Sequence, residues 1–312
     1  MDFVGPELAM TVEIEQQCLV VGAYSRRMTL QLKNQGEVEA RIKGKKLKPV
    51  CGDRVMAEPI PNEPEWLITQ IFPRTNELTR PDSRGRKDIL AANVDCVVAM
   101  AAIEPEPDWY IVDRYLAAAE IMGASSIVVL NKTDLRPISN ATISVLDDYL
   151  TCGIDVIQCS ATTGSNIDTL VAAMKNKISI IVGQSGVGKS SVINRIVYDG
   201  AQRIGNISDS TGEGRHTTVN SVMLDLPDGG AVIDSPGVRD YAPSIENQQD
   251  VNRGFREIQH RSRDCRFANC VHLREPGCAV KSGVEAGDVS ARRYESYKRL
   301  MNSSQRLSDK FG

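Results

Sequence analysis

At 312 residues, 41% hydrophobic and 25% charged, the chain is long enough for two or three domains of ordinary soluble composition, and it has no apolar run of the about 18 residues that a membrane span needs. Its start, M-D-F-V-G-P-E, lacks the basic-then-apolar pattern of a signal peptide, so its eight cysteines are expected as thiols or metal ligands in a reducing cytoplasm. The net charge of −3 is uneven: residues 1–92 carry 14 Lys/Arg against 13 Asp/Glu, 93–249 carry 10 against 19, and 250–312 carry 13 against 8. An acidic middle between more basic flanks predicts that the flanks, not the centre, meet a polyanion.

Residues 1–79 read as β. Short strand-like runs at Cys18–Val21, Met28–Leu32, Val38–Ile42, Val50–Val55 and Glu65–Ile71 alternate with turn residues. Five such strands predict a small barrel of the OB type, a frequent oligonucleotide binder. Arg41–Lys48 carries five bases and no acid. Alone, that run reads as a solvated hairpin; an RNA-contacting reading needs the rest of the chain. A second basic stretch, Arg74–Lys87, with Arg80, Arg84, Arg86, Pro81 and Gly85, reads as an interdomain linker able to touch phosphate.

Residues 80–240 alternate strand and helix, which predicts an α/β domain. Val94–Met100 is a strand, Trp109–Met122 a helix with Asp113 and Arg114 early in it, and Ser126–Leu130 a strand ending on Asn131-Lys132-Thr133-Asp134. That is N-K-x-D. Asp134 can accept hydrogen bonds from the ring N–H and amino group of guanine, which adenine does not offer, so the site is predicted to prefer GTP. Asn131 would tie this loop to its neighbours, and the Lys132 stem would lie along the base. A helix near Ser139–Tyr149 leads to the strand Ile154–Cys159 and then to Ser160-Ala161-Thr162-Thr163-Gly164, an S-A-x-x-G loop whose backbone N–H suits guanine O6.

The stretch with the sharpest chemistry follows. The strand Ile178–Val182 runs into Gly183-Gln184-Ser185-Gly186-Val187-Gly188-Lys189-Ser190, and helical spacing resumes at Ser191–Tyr198. Strand, glycine-rich loop and helix cradle phosphates: the glycines let N–H groups turn inward, the helix N-terminus adds positive potential, Lys189 reaches the β- and γ-phosphates, and Ser190 ligates Mg2+. A polar stretch from Asn206 to Asn220 then holds Arg215, His216, Thr217 and Thr218, and either threonine can close over the γ-phosphate and Mg2+. Strands Val222–Leu226 and Ala231–Asp234 end in Asp234-Ser235-Pro236-Gly237, a D-x-x-G motif in which Asp234 holds Mg2+ through water and the Gly237 N–H senses the γ-phosphate. The base-reading loops precede the phosphate loops, the reverse of an ordinary GTPase. Joining the old termini and opening the chain after D-x-x-G produces this order, a circular permutation.

Residues 241–312 are predicted mostly helical, with Arg292–Leu307 a terminal helix with a basic face. Cys265, Cys270, His272 and Cys278 form C-x4-C-x-H-x5-C, a soft four-ligand set suited to one structural Zn2+. Cys18, Cys51, Cys96, Cys152 and Cys159 are scattered and read as core residues.

The rotated motif order followed by C-x4-C-x-H-x5-C resembles the RsgA (YjeQ) family of circularly permuted GTPases over the whole chain. The resemblance implies an OB barrel (1–79), a permuted GTPase domain (80–240) and a zinc domain (241–312). It also implies GTP hydrolysis stimulated by the small ribosomal subunit in its late maturation, and binding to 16S rRNA. A cytoplasmic monomer that binds GTP and GDP, and no membrane, is the matching expectation. Val238 stands where many GTPases carry a water-orienting Gln; by resemblance His216 takes that role, with Arg215 a competing stabiliser of transition-state charge and RNA contact the alternative role for the histidine. Ser235 stands where the family often has Thr.

Overall fold

In the computed structural model, the described residues are 15–24, 27–33, 36–81, 87–204, 221–235, 245 and 248–311. Strands β1 (Gln16–Ala23), β2 (Met28–Leu32), β3 (Gly36–Ile42), β4 (Arg54–Pro59) and β5 (Trp66–Ile71) close a barrel in the order β1-β2-β3-β5-β4, with β4 returning to β1. Period-two alternation fills it: Met28, Leu30 and Leu32 of β2 point inward to meet Val20, Ala40, Val55, Trp66 and Ile68. The strand expected at Val50–Val55 begins only at Arg54. Cys51 and Gly52 form a turn because buried Asp53 is held from two sides, by Val50 N at 2.8 Å and by both Nε and Nη2 of Arg74 at 2.7 Å. The stretch expected as a linker contains β6 (Glu77–Pro81) and the start of β7 (Lys87–Ala92), an antiparallel ribbon in which Arg80 pairs with Asp88.

The second sheet region joins β8 (Cys96–Ala102), β9 (Ser125–Asn131), β10 (Asp155–Gln158), β11 (Ile178–Gly183), β12 (Ser221–Asp225) and β13 (Ala231–Asp234) in the order β10-β9-β8-β11-β13-β12. Its pairs are parallel except for β12 against β13. Helices α1 (Trp109–Met122) and α2 (Asn140–Thr151) cover one face, packing on Val97, Ala99 and Ala101. Helices α3 (Ile167–Met174) and α4 (Lys189–Ile204) cover the other, packing on Val98 and Met100. A strand covered on both faces needs an unbroken apolar run, which is what C-V-V-A-M-A-A of β8 supplies. The chain lays β8, β9 and β10 out to one edge and then returns to place β11 on the other side of β8. That reversal puts the loops after β8, β9, β10, β11 and β13 at one sheet end, where α/β folds bind ligands.

Two joins tie the parts together. β1 also pairs with β12, through Gly22↔Val222 and Ala23↔Ser221, so barrel and sheet are hydrogen-bonded as eleven strands. On the far side, α5 (Gln248–Arg253), α6 (Arg256–Ser262), α7 (Ala279–Ala286) and α8 (Ala291–Phe311) share a core of Val251, Phe255, Ile258, Val280, Tyr297 and Leu300 with Ala117 of α1. Contact there is close: a Cβ at Gly254 would lie 2.8 Å from that of Ala117.

Candidate nucleotide site and metal centre

β11 ends at Gly183 and α4 begins at Lys189, so the five residues from 184 to 188 form the loop at a helix N-terminus, with Ser190 and Ser191 exposed on its first turn. Gly186 and Gly188 take φ of 80° and 93°. Gly188 is also forced by proximity, since a Cβ there would sit 2.5 Å from Asn131 Nδ2. Lys189 is buried and donates to the carbonyls of Gly183 (2.7 Å) and Gln184 (2.8 Å), folding over the loop whose phosphates it is predicted to reach. Ser185 and Gly186 are exposed at the tip, while Val187 is buried. The Gln184 side chain accepts from Asp108 N at 3.1 Å, and Asp108 in turn caps α1 by accepting from Tyr110 N and Ile111 N.

Asn131, at the end of β9, joins three loops. Its Nδ2 donates to Val187 O at 2.9 Å, and its Oδ1 accepts from Ala161 N at 3.1 Å and from the Cys159 thiol at 3.7 Å. The tie expected of Asn131 is therefore present, and on the S-A-x-x-G side it is made through the Ala161 N–H. Lys132, at φ 62°, sends its Nζ to Glu104 O and Gly186 O, both at 2.7 Å, bridging the loop after β8 to the phosphate loop. Thr133 binds Cys159 O through both its N–H (3.2 Å) and its hydroxyl (3.0 Å). Asp134 is exposed, and its Oδ1 accepts from Ser160, whose oxygen accepts in turn from Thr163 N at 3.1 Å.

Asp234 ends β13 directly across from Val222, and the Ser221 hydroxyl donates to Ser235 Oγ at 2.8 Å. His216, Thr217, Thr218 and Gly237 lie outside the described residues, as do Arg215 and Val238.

Between α6 and α7 the ligand atoms of Cys265, Cys270, His272 and Cys278 all lie within 4.8 Å of one another. His272 Nδ1 is 3.5 Å from the sulfurs of Cys265 and Cys278, which are 3.9 Å apart. A tetrahedral ion bonded at about 2.3 Å to sulfur and about 2.0 Å to nitrogen needs edges of roughly 3.8 and 3.5 Å, which the three edges among Cys265, His272 and Cys278 match, so the cluster could hold one metal ion. Burial holds the His272 imidazole below its ordinary pKa, against the nearby Glu275 carboxylate, and so favours the neutral ligand form. The loop is held by protein as well: Glu275 accepts from Val271 N, Leu273 N and Arg274 N, and Tyr294 and Tyr297 of α8 donate to His272 O (2.5 Å) and Val271 O (3.0 Å).

Comparison with known proteins decides the family. The RsgA GTPase family model matches residues 71–243. The chain is 38% identical to the small ribosomal subunit biogenesis GTPase RsgA of Pseudomonas savastanoi pv. phaseolicola, over 93% of this chain and 86% of that protein. It is 36% identical to the protein of the same name from Haemophilus influenzae, over 92% and 85%. The chain belongs to the RsgA GTPase family. The fold agrees: YjeQ from Thermotoga maritima superposes with a TM-score of 0.74 at 29% identity, covering 94% of this chain and 99% of that one. YloQ, described as a circularly permuted GTPase, gives 0.74 at 24% identity, covering 98% and 99%.

Sequence reasoning missed one polar cluster of this RsgA-family chain. Asp113 of α1 is fully buried and accepts from Tyr149 (3.0 Å), Arg293 (2.9 Å), Arg292 (2.7 Å) and Ser296 (2.6 Å). Arg293 also binds Glu257 through Nε (2.6 Å) and Nη2 (3.1 Å). The available signal was three polar residues, Arg292, Arg293 and Ser296, on one side of an amphipathic helix.

Proposed function

We propose that this chain is a GTPase that binds the small ribosomal subunit and hydrolyses GTP during late maturation of that subunit, with the subunit raising its turnover. The observation that carries the reading is Asn131, whose one side chain gathers N-K-x-D, the phosphate loop and the S-A-x-x-G loop at the sheet end. In this reading Asp134, with Asn131, Lys132, Thr133, Ser160 and Ala161, selects guanine. The loop from Gly183 through Gln184, Ser185, Gly186, Val187 and Gly188 to Lys189, Ser190 and Ser191 wraps the phosphates. Ser190, Asp234 and one of Thr217 and Thr218 face the Mg2+ bound with GTP, which neutralises charge on the phosphoryl group being transferred, and the Gly237 N–H senses the γ-phosphate. His216 orients the attacking water.

The domains are the barrel (1–79), the permuted GTPase domain (80–240) and the zinc domain (241–312), with Cys265, Cys270, His272 and Cys278 holding one structural Zn2+. The 16S rRNA meets the basic flanks, and two clusters support this. Lys43, Lys45, Lys46 and Lys48 are exposed and have no carboxylate partner among the described residues; the same holds for Arg263, Arg266 and Arg274 around the metal loop. The protein acts in the cytoplasm as a monomer.

Steady-state GTP hydrolysis by the purified protein, alone and with isolated small or large ribosomal subunits, tests the reading. Stimulation by small subunits only is expected; no stimulation with tight GTP binding retained overturns it in favour of a nucleotide-gated RNA-binding assembly factor. His216→Ala should abolish stimulated turnover and leave GTP and subunit binding intact.

A further inference from the structure

We propose that Ser221 and Ser235 are a positioning pair that keeps Asp234 in register with the N-terminal barrel, so that occupancy of the barrel is felt at the nucleotide. The inference rests on the nucleotide-site reading above and goes beyond it, because neither serine is a phosphate or base ligand in that reading.

One edge of β1 serves two partners. Gln16–Leu19 pair with β4 and close the barrel, whereas Gly22 and Ala23 pair with β12. Val222 of β12 has Gly22 on one side and Asp234 on the other. One residue therefore separates the barrel backbone from the carboxylate proposed to face Mg2+. On the next rung Ala23 pairs with Ser221, and the Ser221 hydroxyl donates to Ser235 Oγ at 2.8 Å. Both serines are buried, so this bond is not exchanged for water, and Ser235 is the residue immediately after Asp234.

The joint is braced against hinging. Val20 N donates to Asp53 O and Gly52 N to Val20 O, each at 2.9 Å, fixing the turn at Cys51 and Gly52 to the middle of β1. The same turn binds the end of β7 through Ala92 N to Cys51 O (3.1 Å) and Asn93 Nδ2 to Gly52 O (2.8 Å). A barrel held at two points cannot tilt without drawing β12 along, and β12 carries Val222 and Ser221 against Asp234 and Ser235. Where the barrel's exposed lysines engage a polyanion, the displacement reaches Asp234 through hydrogen-bonded backbone and one hydroxyl pair. By linkage, nucleotide and barrel ligand then change each other's affinity by the same factor.

The test is the Mg2+ concentration that half-saturates binding of a fluorescent non-hydrolysable GTP analogue to the full chain, for wild type, Ser221→Ala, Ser235→Ala, the double variant and Ser221→Thr. Each alanine should raise it about three- to tenfold. The double variant should be no worse than either single, because all three lose one and the same bond. Ser221→Thr, which keeps the hydroxyl, should restore the wild-type value and so separates the bond from a general folding defect. Unchanged Mg2+ dependence in the single variants, or additive losses in the double, overturns the pair. The same titration with isolated small subunits reads the coupling: the gain in analogue affinity on adding subunits should shrink several-fold in Ser221→Ala and return in Ser221→Thr. A gain that persists in Ser221→Ala overturns transmission through the pair. A wild type that gains nothing from subunits overturns the coupling but not the subunit-binding function, which stimulated hydrolysis tests separately, and the particle-free Mg2+ series then decides the positioning role alone.

Discussion

Asp113 Oδ1 and Arg293 Nη1 are 180 positions apart in the chain and 2.9 Å apart in the fold. The two residues are fully or almost fully buried, and they anchor the helices that flank the Cys3His cluster to α1. α1 is itself capped by Asp108, whose N–H reaches Gln184 of the phosphate loop. One helix thus connects the candidate phosphate site to α8, and α8 holds the metal loop through Tyr294 and Tyr297.

Truncating the carboxylate leaves buried Arg293 with Glu257 alone and partly exposed Arg292 with Asp148 alone. Asp113→Ala is expected to lower the unfolding free energy by about 3–5 kcal/mol, because a buried charge left without its partner costs more than the pair contributes. Denaturant titration checks this, and a loss under about 1 kcal/mol would show that Glu257 alone suffices to hold Arg293.

Acid should weaken the same interface. Burial pushes the Glu257 carboxyl up, but the bidentate Arg293 guanidinium outweighs burial and holds it below the ordinary 4.5. Below about 4.5 the unfolded chain therefore binds more protons at this group than the folded one. Its stabilisation is complete above that pH and is lost as pH falls from there through the folded pKa. Melting temperatures followed from neutral pH into acid should drop along that limb, and Glu257→Gln should start lower and flatten it.

Asn131→Ala removes the hydrogen bonds to Val187 and Ala161 that hold three loops together. GTP affinity is expected to fall about 10- to 100-fold, as for two lost buried hydrogen bonds. Asp134→Asn should instead move preference from guanine toward xanthine nucleotides. Fluorescent-nucleotide titration reads both, and an Asn131→Ala protein within about twofold of wild type would remove the clamp from the site.

The Cys3His set should carry one tightly held metal ion per chain by elemental analysis, lost in Cys278→Ser, with a fall in melting temperature on chelation. Asn252 supports the ligand: its amide lies 3.1 Å from His272 Nε2, and with its oxygen and nitrogen exchanged the otherwise unpartnered Oδ1 accepts the ring N–H. Asn252→Ala should weaken metal binding about 10- to 100-fold in a chelator competition. Equal affinities would leave Asn252 without a part in the site.

Much of the fold was legible because its signals are local. Period-two runs marked four of the five barrel strands, and continuous apolar runs ending in N-K-x-D, the phosphate loop and D-x-x-G marked the covered strands, since those motifs need consecutive residues at one strand end. The C-x4-C-x-H-x5-C spacing likewise brought four ligands together within one loop. The β6–β7 ribbon was hidden because its basic, proline-containing sequence fits a linker equally well, and Arg74 and Arg80 find their acids only after folding.

What the chain order alone determined is which chemistry stands at which strand end, and that the base-reading loops come first. Only the tertiary structure decided how those ends are coupled. Asn131 meets partners 30 and 56 positions away, Asp113 partners up to 183 away, and Gly22 reaches Asp234, 212 positions on, through β12, the strand between them. A carboxylate in a helix carries no mark of the arginines it will meet. Burying it is stable only where donors from elsewhere in the chain arrive together, and their arrival is a property of packing rather than of local sequence.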